Sequence, residues 1–201
     1  MNSYPMIEDV MYNYIYSRLQ LNGLFHDAVD RKDWRQLFCM AASVCVGIKE
    51  ATGHNDGPLV NSIQRSVDGK VSPDEYWCMD FVQTCRLFVE RLTGIKSPLK
   101  YTQSCADLWA WTQKNRPDLI VKDIPLPGAI VILKHANGGG HTKIVLACDG
   151  EIVHCVDGNT TGSLVPTKGA TGKLDRNGNG VYYTAMKHRN NPELVGYIKP
   201  I

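Results

Sequence analysis

The sequence predicts an α+β fold in which helices come first and an antiparallel sheet follows. Two observations carry this. Up to about residue 114, apolar residues recur at three- and four-residue spacing, the mark of helices buried along one face. After Gly128 the period drops to two and the segments shorten, as strands do. Helices followed by strands, rather than alternating with them, indicate segregated layers and not a parallel βαβ sheet.

Taken in order, residues 5–21 and about 27–51 carry the helical spacing. Thr52-Gly53-His54-Asn55-Asp56-Gly57-Pro58 breaks it with turn residues, and a short helix is expected over 59–67. Ser72-Pro73-Asp74-Glu75 has the form of a capping box with Pro at the first helical position. A helix capped there would leave Cys78 more than a turn inside. We read instead a short turn at 72–75 and a main helix starting near Trp77, whose stripe of Cys78, Phe81, Val82, Cys85, Phe88, Val89 and Leu92 buries one face. A further helix is expected over 103–114. Pro117, Pro125 and Pro127 punctuate an extended connection, and strands are expected at 129–134, 142–148, 151–157, 180–187 and 195–199. The expected organisation is an N-terminal helical elaboration over 1–46 and a catalytic part over 47–201, joined in one unit.

Composition narrows the partners. Across 201 residues, 43% hydrophobic and 21% charged residues describe a globular chain. A net charge of +2 is too small to argue for nucleic acid, and Lys168, Lys173, Arg176, Lys187, Arg189 and Lys199 read as a solvated basic face. No apolar run approaches the roughly 18 residues of a membrane span, so no membrane insertion is expected. Glu8 and Asp9 stand where a secretion signal would carry Lys or Arg, so synthesis in the cytoplasm without a signal is expected. Seven cysteines, an odd number without the spacing of a disulfide scaffold, read mostly as small buried residues. A monomer without cofactor or metal is the expectation.

One cysteine has stronger claims. Cys78 tops the buried stripe near the start of its helix, where the helix dipole and unpaired amides favour thiolate. A thiol nucleophile needs a base that titrates near neutrality, and of six histidines His141 stands out. Gly138-Gly139-Gly140 precedes it, allowing close approach of a substrate backbone at Gly140, and an apolar strand follows. A three-residue hairpin loop of Cys148-Asp149-Gly150 would pair Ala147 with Glu151 and set His141 opposite Asp157. Asn159 would then lie within diagonal reach, whereas a two-residue loop would put Gly158 opposite His141 and the pairing would fail. Cys on a helix, then His and Asp or Asn on a following sheet, is the papain-like order of catalytic groups.

Tyr76-Trp77-Cys78-Met79-Asp80-Phe81-Val82, Gly140-His141-Thr142-Lys143-Ile144-Val145 and Asp157-Gly158-Asn159-Thr160 resemble the CHAP family, the cysteine, histidine-dependent amidohydrolases/peptidases. Gly53 to Pro58, Pro127-Gly128 and Gly178-Asn179-Gly180-Val181-Tyr182 resemble flanking features of its phage and bacterial members. The likeness covers roughly residues 48–201. It implies a papain-like fold, N-terminal helices on a C-terminal antiparallel sheet or half-barrel, and Cys78 as nucleophile, His141 as base and Asp157 or Asn159 as orienting group. It further implies peptidoglycan as partner, an amide bond in the stem peptide or between sugar and peptide as target, and an endolysin-like lytic role. Trp77, beside the thiol, is expected to wall the cleft. Many relatives carry Glu where Asp157 stands, which leaves Asp157 and Asn159 open as third residue. Ala129 also departs from the Asp common after the Pro-x-Gly turn. A non-catalytic papain-like binding module and a thiol acyltransferase are the alternatives.

Two metal signals are declined. Asp175-x-Asn177-x-Asn179-Gly180 begins like a calcium loop, but Met186 stands where a bidentate Glu belongs, so a tight hairpin turn is the better reading. Cys148, His154 and Cys155 with His141 have no zinc-site spacing, and His154 and Cys155 point to opposite faces of one strand.

Overall fold

Six helices are followed by a six-stranded antiparallel sheet in this computed structural model, which describes residues 4–121, 123–136, 138–161 and 178–201. Asp175, Asn177, Lys168, Lys173 and Arg176, and with them the hairpin-turn reading, lie outside the described residues. The arrangement is α+β and papain-like, with the helices packed on the sheet.

The helices are α1 (Asp9–Leu19), α2 (Gly23–Asp30), α3 (Trp34–Val44), α4 (Pro58–Asp68), α5 (Cys78–Thr93) and α6 (Cys105–Asn115). The single helix expected over 27–51 is two. Asp33 accepts a hydrogen bond from Gln36 N and so starts α3, while Lys32 takes a left-handed φ of 52° that ends α2. Local capping thus overrides an uninterrupted apolar period. Beyond α3 the chain turns and makes one isolated bridge, Lys49 to Gly180. At the far end of α5, Gly94 provides the left-handed residue that closes the helix, its N–H bonding Glu90 O.

The strands are β1 (Ile120–Val121), β2 (Ile130–Lys134), β3 (Gly140–Asp149), β4 (Ile152–Thr160), β5 (Gly180–Lys187) and β6 (Leu194–Ile198), in the order β1-β6-β2-β3-β4-β5. β1, two residues long, falls in the segment expected to be an extended connection and pairs with β6. α5 is buried nearly throughout and lies against both α3 and α4 on one side and β3 and β4 on the other. One apolar cluster runs from Met11, Ile15 and Leu19 of α1 through Phe38 of α3 and Phe81 and Phe88 of α5 to Ile144 and Val156 of the sheet. The first helices therefore share the core that seats α5. Burying such side chains contributes about 1.5–3 kcal/mol each.

The hairpin between β3 and β4 corrects the expected register. The loop is two residues, Gly150 and Glu151, because Asp149 pairs with Ile152 and Cys148 with Val153. Carried on unchanged, that register would turn His141 and Asp157 to opposite faces. A bulge at Leu146 prevents it: Ala147 pairs with His154, whereas Val145 pairs with Cys155 and Ile144 with Val156. The extra residue restores the parity, so His141 and Lys143 share a face with Asp157. His141 reaches Asp157 diagonally across the strand pair, not from directly opposite.

Candidate active site

Cys78 is the first residue of α5, with Trp77 as N-cap, so the turn read at 72–75 is a turn and the helix begins at the thiol. Ser72 Oγ accepts from Asp74 N, and Glu75 N bonds Ser72 O. The side chain of a residue in this position feels the positive end of the helix dipole and the unpaired amides of the first turn. Cys78 is only 4% exposed.

A second thiol lies against it. Ser104 caps α6 by accepting from Asp107 N, which makes Cys105 the first residue of that helix, as Cys78 is of α5. The Cys105 S–H donating to Cys78 is the largest influence holding the Cys78 thiol well below its ordinary value. Burial works the other way, and the charge of His141, a hydrogen bond with it and the Thr142 N–H add to the lowering. Cys105 is driven well above the thiol range by the same contact, so it remains a donor. Behind them Asp80 is fully buried, and burial together with the charge of Glu75 pushes its carboxyl well above the usual range. Burial and the charges of Glu75 and Cys78 thus disfavour an anion at Asp80 beside the thiol.

His141, 7% exposed, places Nε2 2.8 Å from Asp157 Oδ2, which leaves its other ring nitrogen for the thiol. Burial disfavours the imidazolium most, yet the thiolate charge of Cys78 and the hydrogen bond to Asp157 outweigh it and raise His141 to about 9. Asp157 is 0% exposed. Burial alone would raise it, but the Lys143 charge and the His141 hydrogen bond hold it at about 2. Thr184 Oγ1 donates to the other oxygen, Oδ1. These directions favour a thiolate–imidazolium pair with an ionised carboxylate behind it, the state in which a thiol attacks a carbonyl carbon.

Of the two candidates for third residue, Asp157 is the one bonded to His141. Asn159 lies just beyond it with a left-handed φ of 53°, at an irregularity in the β4–β5 register, and its buried Oδ1 has no hydrogen-bond partner among the described residues. Trp77 does not wall an open cleft. It is fully buried, its indole N–H bonds Glu50 Oε1 at 3.0 Å, and its ring packs under Gly158, where a Cβ would come within 2.8 Å of Trp77 and 2.7 Å of Phe81. Gly140 is exposed at the mouth of β3, and a Cβ there would lie 3.0 Å from the Cys105 Cβ. It thus keeps an open approach beside the two thiols.

With that geometry in place, residues 71–159 match the model of the CHAP domain. That stretch is similar to a CHAP domain. The match begins at the turn before α5 and ends at Asn159, so it contains Cys78, His141 and Asp157. The CHAP domain indicates a cysteine, histidine-dependent amidohydrolase/peptidase. No curated protein and no solved structure matches the chain.

His154 is exposed and Cys155 buried on β4, and no group of three or more His, Cys, Asp or Glu among the described residues is placed to hold a metal ion. All seven cysteines are free. No described helix is long and apolar enough to cross a membrane. Lys143, Thr184 and Cys105 were not foreseen as parts of the site. The signal for Lys143 was its place two residues after His141, which puts a lysine on the inward face of a strand. For Cys105 it was Ser104, whose capping sets the following thiol at a helix start.

Proposed function

We propose that the protein is a peptidoglycan hydrolase that cleaves an amide bond through Cys78, His141 and Asp157, in a lytic role of the phage or bacterial kind. The observation that supports this best is the His141–Asp157 bond of 2.8 Å on the sheet facing a thiol at the first position of α5, within a CHAP domain. The Cys78 thiolate attacks the amide carbonyl and the electron pair moves to the oxygen, which the backbone N–H groups opening α5 stabilise. As the tetrahedral intermediate collapses, His141 gives its proton to the departing amine and a thioester remains on Cys78. Water then attacks the thioester, His141 takes its proton, and the carboxylic acid leaves with Cys78 restored. Asp157 keeps the imidazole ring oriented through both steps. The family resemblance supports the substrate, with the bond lying in the stem peptide or between sugar and peptide.

The test is loss of turbidity of purified sacculi. Cys78→Ala should abolish it while circular dichroism and melting stay those of the parent. Full activity in that variant would overturn the mechanism, and mass spectrometry of the released fragments names the bond.

A further inference from the structure

Asp157 Oδ2 is bonded by two cations at once. Lys143 Nζ lies 2.8 Å from it, the same distance as His141 Nε2. Lys143 also donates to Thr184 Oγ1 at 3.1 Å, and Thr184 in turn donates to Asp157 Oδ1. The lysine side chain is 11% exposed, so this is a largely buried ammonium and not a surface pair. Holding a buried lysine costs desolvation, which is offset here by a carboxylate that cannot escape it. An imidazole–carboxylate pair alone would place the proton of His141 under the pull of an uncompensated anion. Lys143 sets a second basic side chain against the one carboxylate oxygen that His141 also bonds.

We propose that Lys143 is a positioning residue of the amide-cleaving site, a fixed counter-charge on Asp157 that sets the ionisation of the Cys78–His141 pair. This deepens the reading of Cys78 and His141 as nucleophile and base, and rests on it. The direction follows from charge. A cation beside an imidazole disfavours imidazolium, so Lys143 makes His141 readier to release its proton to a leaving amine. The same cation favours thiolate at Cys78. The groups facing the Cys78–His141 pair are Asp80 on α5, Cys105 on α6, apolar Leu133 opposite on β2, Lys143 on β3, Asp157 on β4 and Thr184 on β5. Lys143 is the one of these with a fixed positive charge. Its influence reaches the thiol through His141 and Asp157, and it touches no reacting atom.

The experiment reads ionisation without any substrate. The rate of Cys78 alkylation by iodoacetamide is followed against pH, and the His141 ring is titrated by NMR, for the parent and for Lys143→Met, Lys143→Gln and Lys143→Arg. Met and Gln remove the charge, and Gln keeps a hydrogen-bond donor for Asp157. Both should move the rising limb of alkylation and the His141 titration upward, by about one pH unit. Arg should restore the parent midpoints. Unchanged midpoints in folded Met and Gln variants would overturn the proposal. So would failure of both neutral variants to fold beside a folded Arg variant, which would make Lys143 a structural counter-ion only. A failure of the hydrolase reading shows differently, as full sacculus activity in Cys78→Ala.

Discussion

His141 and Asp157 meet diagonally across two strands, Nε2 to Oδ2 at 2.8 Å, because Leu146 bulges out of the ladder between them and the hairpin loop. The site depends on that one extra residue. A two-residue loop on a regular ladder would send the imidazole and the carboxylate to opposite faces. Deleting Leu146 should therefore cost nearly all reactivity of Cys78 toward a thiol electrophile. Leu146→Ala, which keeps the backbone bulge, should retain it. Comparable alkylation rates in the deletion variant and the parent would contradict this account of the register.

Asp157→Asn replaces the anion that holds the ring and leaves Lys143 facing a neutral amide. The expected loss in kcat on sacculi is on the order of 10³- to 10⁴-fold, since the amide can favour the wrong tautomer of His141. Asn159→Ala, by contrast, removes a side chain whose Oδ1 has no described partner, and should cost well under tenfold.

Stability should depend on pH at both ends. The Asp157 carboxyl is lowered from 3.8 to about 2, so its contribution is present above the unfolded value and is lost as pH falls through about 2. That contribution is about 2 kcal/mol. His141 is raised from 6.5 to about 9, so its contribution is present below the unfolded value and is lost as pH rises through about 9. Melting temperature measured across pH should fall toward both limits, and His141→Ala should flatten the alkaline side.

Gly158 offers a packing test of how the nucleophile is seated. A Cβ at this position would meet the Phe81 side chain at 2.7 Å and Trp77 at 2.8 Å. Gly158→Ala should destabilise the fold by about 1–3 kcal/mol through overpacking. It should also slow Cys78 alkylation, because the displaced Trp77 is the N-cap that precedes the thiol. Calorimetry and labelling rates check the two effects separately.

The layers were legible because each period was long and clean: the buried stripe of α5 and the alternation after Gly128 name their own elements. The start of α5 at the thiol was legible too, from the conflict between a cap at Ser72 and the position of Cys78. The division of 27–51 was not, since the left-handed turn at Lys32 and the cap at Asp33 act locally under a continuous apolar pattern. The pairing of His141 with Asp157 was anticipated by the wrong route. A three-residue loop and a two-residue loop followed by a bulge give the same parity, and a bulge leaves no mark in alternation this short. Lys143 and Cys105 escaped because their roles depend on contacts between elements distant in sequence, 41 residues in one bond to Thr184.

The competition among seven cysteines for a thiol-directed electrophile at neutral pH, mapped by peptide mass spectrometry, tests the central claim most directly. Exposure alone favours Cys39 and Cys148, which are only half-buried. Ionisation favours Cys78, whose thiol is held well below its ordinary value, while burial raises Cys39 to about 11 and Cys155 to about 12. Cys78 labelled first, with the preference lost in His141→Ala, is the predicted result. Cys148 or Cys39 labelled first, with Cys78 lagging, would contradict a nucleophile at the head of α5.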